Sequence, residues 1–325
     1  MKQKISRIFL LGLGFFIFSI LLQGMILPPS SAYAEVKQIS MGTSTVGGLF
    51  YNIGSPIAQC INSHMPEVNI TAEFTEGSTE NLRLIGHKKM QLGVISPMVG
   101  YFARKGIAMF KKSGPIDFRV ITRLQPNGNI WATLKNEKTI KTIADFKGHK
   151  VGVGTGGMGV VSRMQLEYFG IDIKKDIKPF FLQAGALADA LKDGSVDVTF
   201  LTKELAIMVA ATHEIRVISW KEPELNAYVE KNPYFGKYAY PPNTFKGVDY
   251  EVLTVDNGIQ LICDAGMSDD LVYQLTKTIM ENLDCVAKIY APAKDLNPQW
   301  CASKLGNPFH PGAIKYFKEK GLWKD

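Results

Sequence analysis

The chain has 325 residues, 46% of them apolar, 21% charged and 10% aromatic, which excludes disorder, collagen and coiled coil and leaves room for two domains or lobes. The formal charge is +7, but Lys2, Lys4 and Arg7 stand before the first acidic residue, so the chain beyond them carries only +4. Without a run of five like charges, nucleic-acid binding has little electrostatic basis.

The first 34 residues run from a basic start, through an apolar stretch at 8–27 broken by Gly12, Gly14, Ser19 and Gln23, to Ala32-Tyr33-Ala34. This is the pattern of a secretory signal peptide cut after Ala34, with an uncleaved anchor as the alternative. The protein is therefore expected outside the cytoplasm. There Cys60, Cys263, Cys285 and Cys301 are free to pair. Cys285 and Cys301, separated by Pro292 and Pro298, are candidates to close a loop, while Cys60 and Cys263 lie in apolar surroundings and read as buried thiols; four free cysteines is the alternative. Metal-ligand spacing is missing, and no cofactor is expected.

From residue 35 onward, short β-rich runs are expected at 38–42, 69–74, 92–95, 118–124, 130–135, 150–154, 196–201, 215–219 and 252–262. Helical patterns lie between them at 49–65, 78–88, 159–170, 184–194, 203–212 and 269–290. Alternation of this kind predicts an α/β fold with mainly parallel sheets. Residues 222–249, with Pro223, Pro233, Pro241 and Pro242, read as an irregular surface excursion. A second break is the turn-rich 125–129, and no internal repeat shows.

Three strand-to-helix loops share one construction. They are Gly42-Thr43-Ser44-Thr45-Val46-Gly47-Gly48, Thr75-Glu76-Gly77-Ser78-Thr79-Glu80-Asn81 and Gly154-Thr155-Gly156-Gly157. Glycines admit close backbone approach, and hydroxyls with free amides at a helix start bind anions. One such loop is an ordinary cap; three at the carboxyl ends of strands point to a ligand site. The run Gly152-x-Gly154-x-x-Gly157 with Asp172 downstream imitates a dinucleotide fingerprint, but it lies mid-chain rather than at the opening of a domain. Catalytic signatures are thin: His64, His87, His149, His213 and His310 form no paired spacing, and no base is identifiable beside Ser44 or Ser78. Lys203 and Arg123, at strand ends, are cations that either hold a carboxylate or pair on the surface. His310-Pro311-Gly312 reads as a turn before the last helix.

These loops, together with 143–154, Pro242-Asn243-Thr244-Phe245-Lys246-Gly247 and Phe309-His310-Pro311-Gly312-Ala313, resemble the TAXI family, the substrate-binding proteins of TRAP transporters. The resemblance implies a two-lobed fold of the periplasmic-binding-protein type II. A cleft between the lobes would close on a small anionic solute, a dicarboxylate or glutamate-like acid, for delivery to the membrane subunits of a TRAP transporter. Such a receptor is a non-enzyme and a monomer. The resemblance implies lobe 1 at 35–127 plus 254–325 and lobe 2 at 128–253. It also implies ligand contacts at Thr43, Ser44, Thr45, Tyr51, Ser78, Asn81, Thr155, Gly156 and Gly157; we add Lys203. The sequence departs from the family pattern at Ser96-Pro97, Phe245 and Lys203, which leaves the solute's identity open.

Overall fold

Alternating strands and helices build two five-stranded sheets in the computed structural model, which describes residues 36–324. The signal peptide expected at 1–34 lies outside the described residues.

In the first sheet β1 (Lys37–Gly42), β2 (Val68–Glu73) and β3 (Leu92–Ile95) run parallel, each followed by a helix: α1 (Leu49–His64), α2 (Ser78–Gly86) and α3 (Pro97–Lys105). β4 (Phe118–Arg123) then leads into the second sheet. There β5 (Ile130–Leu134) precedes three more strand-helix units: β6 (Lys150–Gly152) with α4 (Gly156–Tyr168), β7 (Lys178–Phe180) with α5 (Ala184–Lys192), and β8 (Val198–Leu201) with α6 (Lys203–Ala210). β9 (Ile215–Ile218) ends that sheet. Next come α7 (Glu222–Lys231) and a two-stranded antiparallel ribbon of β10 (Gly236–Tyr240) and β11 (Val252–Asp256). The chain returns to the first sheet as β12 (Gln260–Asp264) and finishes with α8 (Asp269–Glu281), α9 (Leu283–Ile289), α10 (Pro298–Cys301) and α11 (Pro311–Glu319).

The strand orders are β2-β1-β3-β12-β4 and β7-β6-β8-β5-β9. They are the same plan used twice. In each sheet four strands run one way, and the strand that enters from the other sheet, β12 or β5, is inserted antiparallel in the fourth position. This repeat is invisible in the sequence because it lies in strand pairing, not in side chains. β5 is the near-continuous apolar run that a sheet covered on both faces requires, its successive side chains pointing to opposite faces: Trp131 packs with Phe146 and Phe200, while Ile130 and Ala132 join Leu187 and Leu191 on the opposite face.

Several expectations need correction. Residues 222–249 are irregular only in part: 222–231 form α7, with Pro223 in its first turn where a missing N–H costs nothing, and 236–240 form β10, while the turns at 232–235 and 241–249 hold Pro233, Pro241 and Pro242. The run 252–262 is two strands of different sheets, parted where Gly258 takes φ +60°, a value that favours glycine. The helix expected over 269–290 breaks at Asn282. Cys60 pairs with Cys285, not Cys285 with Cys301: α1 lies against α9 and brings the two Cα atoms within 6.0 Å. Cys263 and Cys301 are buried free thiols, and burial pushes the Cys301 thiol up to about 12. Among the described residues no helix is long and apolar enough to cross a membrane.

Candidate functional site

Helices follow β1, β2, β3, β6, β7 and β8 directly, so the carboxyl end of each of these strands meets a helix N-terminus. All six junctions line one cleft of about 670 Å3. The first sheet supplies Ser44, Thr45, Gly48, Glu76, Gly77, Ser78, Thr79 and Ser96; the second supplies Thr155, Gly157, Gln183, Ala184 and Thr202. Asn127, Asn129 and Asn257, from the two segments that cross between the sheets, complete the polar lining.

Five of these helices, α1 to α5, have no side-chain hydrogen bond at the N-cap, which is Gly48, Gly77, Ser96, Thr155 and Gln183 respectively. The N-cap of α6 does cap its helix, Thr202 Oγ1 accepting from the Leu205 N–H, and α1 is capped from further back in its loop by Ser44 Oγ, which accepts from the N–H of Tyr51 in the first turn. The first N–H groups of a helix lack intrahelical partners and carry the positive end of its dipole, so a ring of such starts favours an anion. Helix starts from both sheets thus face the same space.

The expected site residues divide. Ser44, Thr45, Ser78, Thr155 and Gly157 line the cleft. Ser44 Oγ accepts from the Tyr51 N–H (3.2 Å) and Ser78 Oγ from the Ser96 N–H (2.9 Å), so both hydroxyls shape the loops as well. Thr43, Tyr51, Asn81 and Gly156 stand outside the lining. Thr43 is buried and donates its hydroxyl to the Glu73 carbonyl (2.7 Å), while Asn81 Nδ2 donates to the carbonyls of Thr43 and Val94, both at 2.9 Å. Lys203 borders a separate crevice with Gln125, Tyr238, Tyr240 and Lys294, its Nζ 6.0 Å from the Tyr240 ring.

Arg123 is neither a clamp in the cleft nor a surface cation. It is buried, its guanidinium paired with Asp256, stacked 3.7 Å from the Trp300 ring centroid and hydrogen-bonded to Ser303 Oγ (2.8 Å). Burial pulls its pKa down to about 10. The other Asp256 oxygen accepts the N–H groups of Asn127 (2.8 Å) and Gly258 (3.0 Å), so one carboxylate ties together both crossing segments. Among the described residues no lysine, arginine or histidine lines the cleft, and Glu76 is the one ionisable side chain there. His310 does shape a turn: its Nδ1 accepts from the Gly312 N–H, and its Nε2 meets the Met267 carbonyl at 3.0 Å.

Sequence reasoning missed Ser96, Gln183, Thr202 and the three crossing asparagines. The first three head helices that lack a glycine-hydroxyl signature. The asparagines sit in crossings whose approach to the cleft depends on pairing between distant segments, as where the Asn257 N–H donates to the Asn127 carbonyl (3.0 Å).

Among solved structures, the chain is similar to XAC2383 from Xanthomonas citri bound to ATP. The TM-score is 0.52 at 8% identity, covering 87% of this chain and 95% of that one. It is also similar to a structure described as a periplasmic transporter, with TM-score 0.51 at 15% identity, covering 88% and 94%. At such identities the likeness shows the fold, the two-lobed α/β architecture with a cleft between sheets. The model of the NMT1-like family matches residues 41–321, which takes in both sheets and every junction of the cleft. By that match the chain belongs to the NMT1-like family, a periplasmic solute-binding family.

Proposed function

We propose that the protein is an extracytoplasmic receptor that holds a small anionic solute between two closing lobes, without transforming it. The observation that carries this reading is the convergence of six strand-to-helix junctions on one cleft, five of them without a capping hydrogen bond from the N-cap side chain. Neither Ser44 nor Ser78 has a histidine beside it in the lining, and both hydroxyls accept backbone N–H groups, which favours binding over a serine hydrolase or transferase. The Cys60–Cys285 disulfide supports an oxidising compartment, in keeping with export by the segment 1–34.

The lobes we assign are 35–127 with 254–325, and 128–253, hinged at the crossings around Gly128 and Gly258. Ligand contacts from both sheets exist together only when the lobes shut, so binding shifts the open-closed equilibrium by its differential affinity for the two states. The motif resemblance to the TAXI family supports the membrane subunits of a TRAP transporter as recipient, and a monomer as the working form. Thermal-shift screening against organic acids and their amides or esters tests the binding claim. At a hundredfold excess over Kd a true ligand adds about 2.7 kcal/mol without being consumed. Turnover of the hit, or equal binding of acid and neutral ester, would overturn it.

A further inference from the structure

The cleft walls say more about the solute than that it is an anion. Between the helix starts the lining is apolar, with Leu49, Phe50, Met98 and Val99 from the first sheet's helices and Met158 and Val161 from the second's. Lys203 lies in another crevice, and Arg123 is committed to Asp256. A second carboxylate on the ligand would therefore meet no side-chain cation, would leave water for an apolar wall, and would face Glu76.

The floor adds an independent feature. Asn257 borders the cleft with only 6% of its surface exposed. Its Nδ2 donates to Asn129 Oδ1 (2.9 Å), but its Oδ1 has no hydrogen-bond partner. A buried acceptor left unpaired is costly; Oδ1 is closed to solvent as the floor stands, and because Asn257 borders the cleft a small shift of that floor on lobe closure would open it to a ligand donor.

Resting on the receptor reading above, we infer that the solute carries one carboxylate, an apolar body and a hydrogen-bond donor for Asn257: an apolar amino or hydroxy acid and not a dicarboxylate. The helix starts take the carboxylate, the six apolar side chains take the body, and Asn257 Oδ1 takes the N–H or O–H.

The test is calorimetric titration of the protein, stripped of carried-over solute by unfolding and refolding, with leucine, phenylalanine, 2-hydroxy-4-methylpentanoate, 4-methylpentanoate, succinate and glutamate. At least one apolar amino or hydroxy acid is expected to bind tenfold or more tighter than succinate and glutamate. The analogue without the donor, 4-methylpentanoate, should bind about tenfold more weakly than its hydroxy acid, one unmade hydrogen bond being worth about that factor. In Asn257→Ala that gap should close, a change that general loosening of the fold would not produce. The series on the unmodified protein stands even if the variant does not fold. Tighter binding of succinate or glutamate would overturn the inference and leave the receptor reading standing. Failure of every acid, with a neutral solute found by native mass spectrometry, would overturn both.

Discussion

The buried pair at the crossings gives a sharp test of how the two sheets are joined. Asp256 is 0% exposed and Arg123 5% exposed, and their carboxylate and guanidinium are in direct contact. In Asp256→Asn the side chain keeps an oxygen for the Asn127 and Gly258 N–H groups, so the change isolates the charge. A buried guanidinium without its counterion costs about 3–5 kcal/mol. At about 2–4 °C per kcal/mol for a chain of this size, the melting temperature should fall by about 10 °C. Arg123→Met should cost a similar amount through the stranded carboxylate. The double variant should cost well under the sum, since removing both charges removes the stranded-ion penalty. Urea unfolding of the four proteins measures this cycle. Additive losses, or a cost below about 1 kcal/mol for Asp256→Asn, would refute the assignment of a desolvated pair. Ligand affinity of Arg123→Met should stay within a few-fold of the parent, because Arg123 is not among the cleft residues.

Replacing Cys60 and Cys285 by serine should lower stability by about 2–4 kcal/mol in guanidinium titrations, and reductant should abolish the difference between parent and variant. Thiol titration of the native, oxidised protein should detect neither Cys263 nor Cys301, both buried with raised pKa, and should detect two thiols once it is unfolded. Gly258→Ala should destabilise by about 1–3 kcal/mol, because a Cβ would sit 2.4 Å from Leu305 Cδ2 at a φ of +60°. Burial lowers the pKa of His310, whose neutral ring caps α11. The unfolded chain therefore binds the proton first: the His310 contribution is complete above about pH 6.5 and is lost as pH falls from there through the lower folded pKa. In His310→Asn that part of the pH dependence of stability should vanish.

Local chemistry made much of this protein legible. The strands at 38–42, 92–95 and 118–124 and the helices beginning at Leu49, Ser78, Ala184 and Lys203 follow from periodicities of two and 3.6 residues, which any segment carries within itself. Gly77, Ser78, Thr155 and Gly157 marked out a candidate site, and all four line the cleft, because free amides and hydroxyls beside glycine have the same use wherever they occur. Tertiary structure decided what depends on partners remote in sequence. The apolar stretch 252–262 has no local mark telling which half pairs with β10 and which with β3 and β4; strand competition between two sheets settled it. Arg123 read as a carboxylate clamp or a surface-paired cation until β11 placed Asp256 against it, 133 residues on. Cys60 found Cys285 across a separation of 225, because the packing of α1 on α9 and not loop length set the distance. The asparagines of the cleft floor came together in the same way: a hydrogen bond or disulfide acts over a few ångströms of space, and only the folded chain assigns those ångströms to residues.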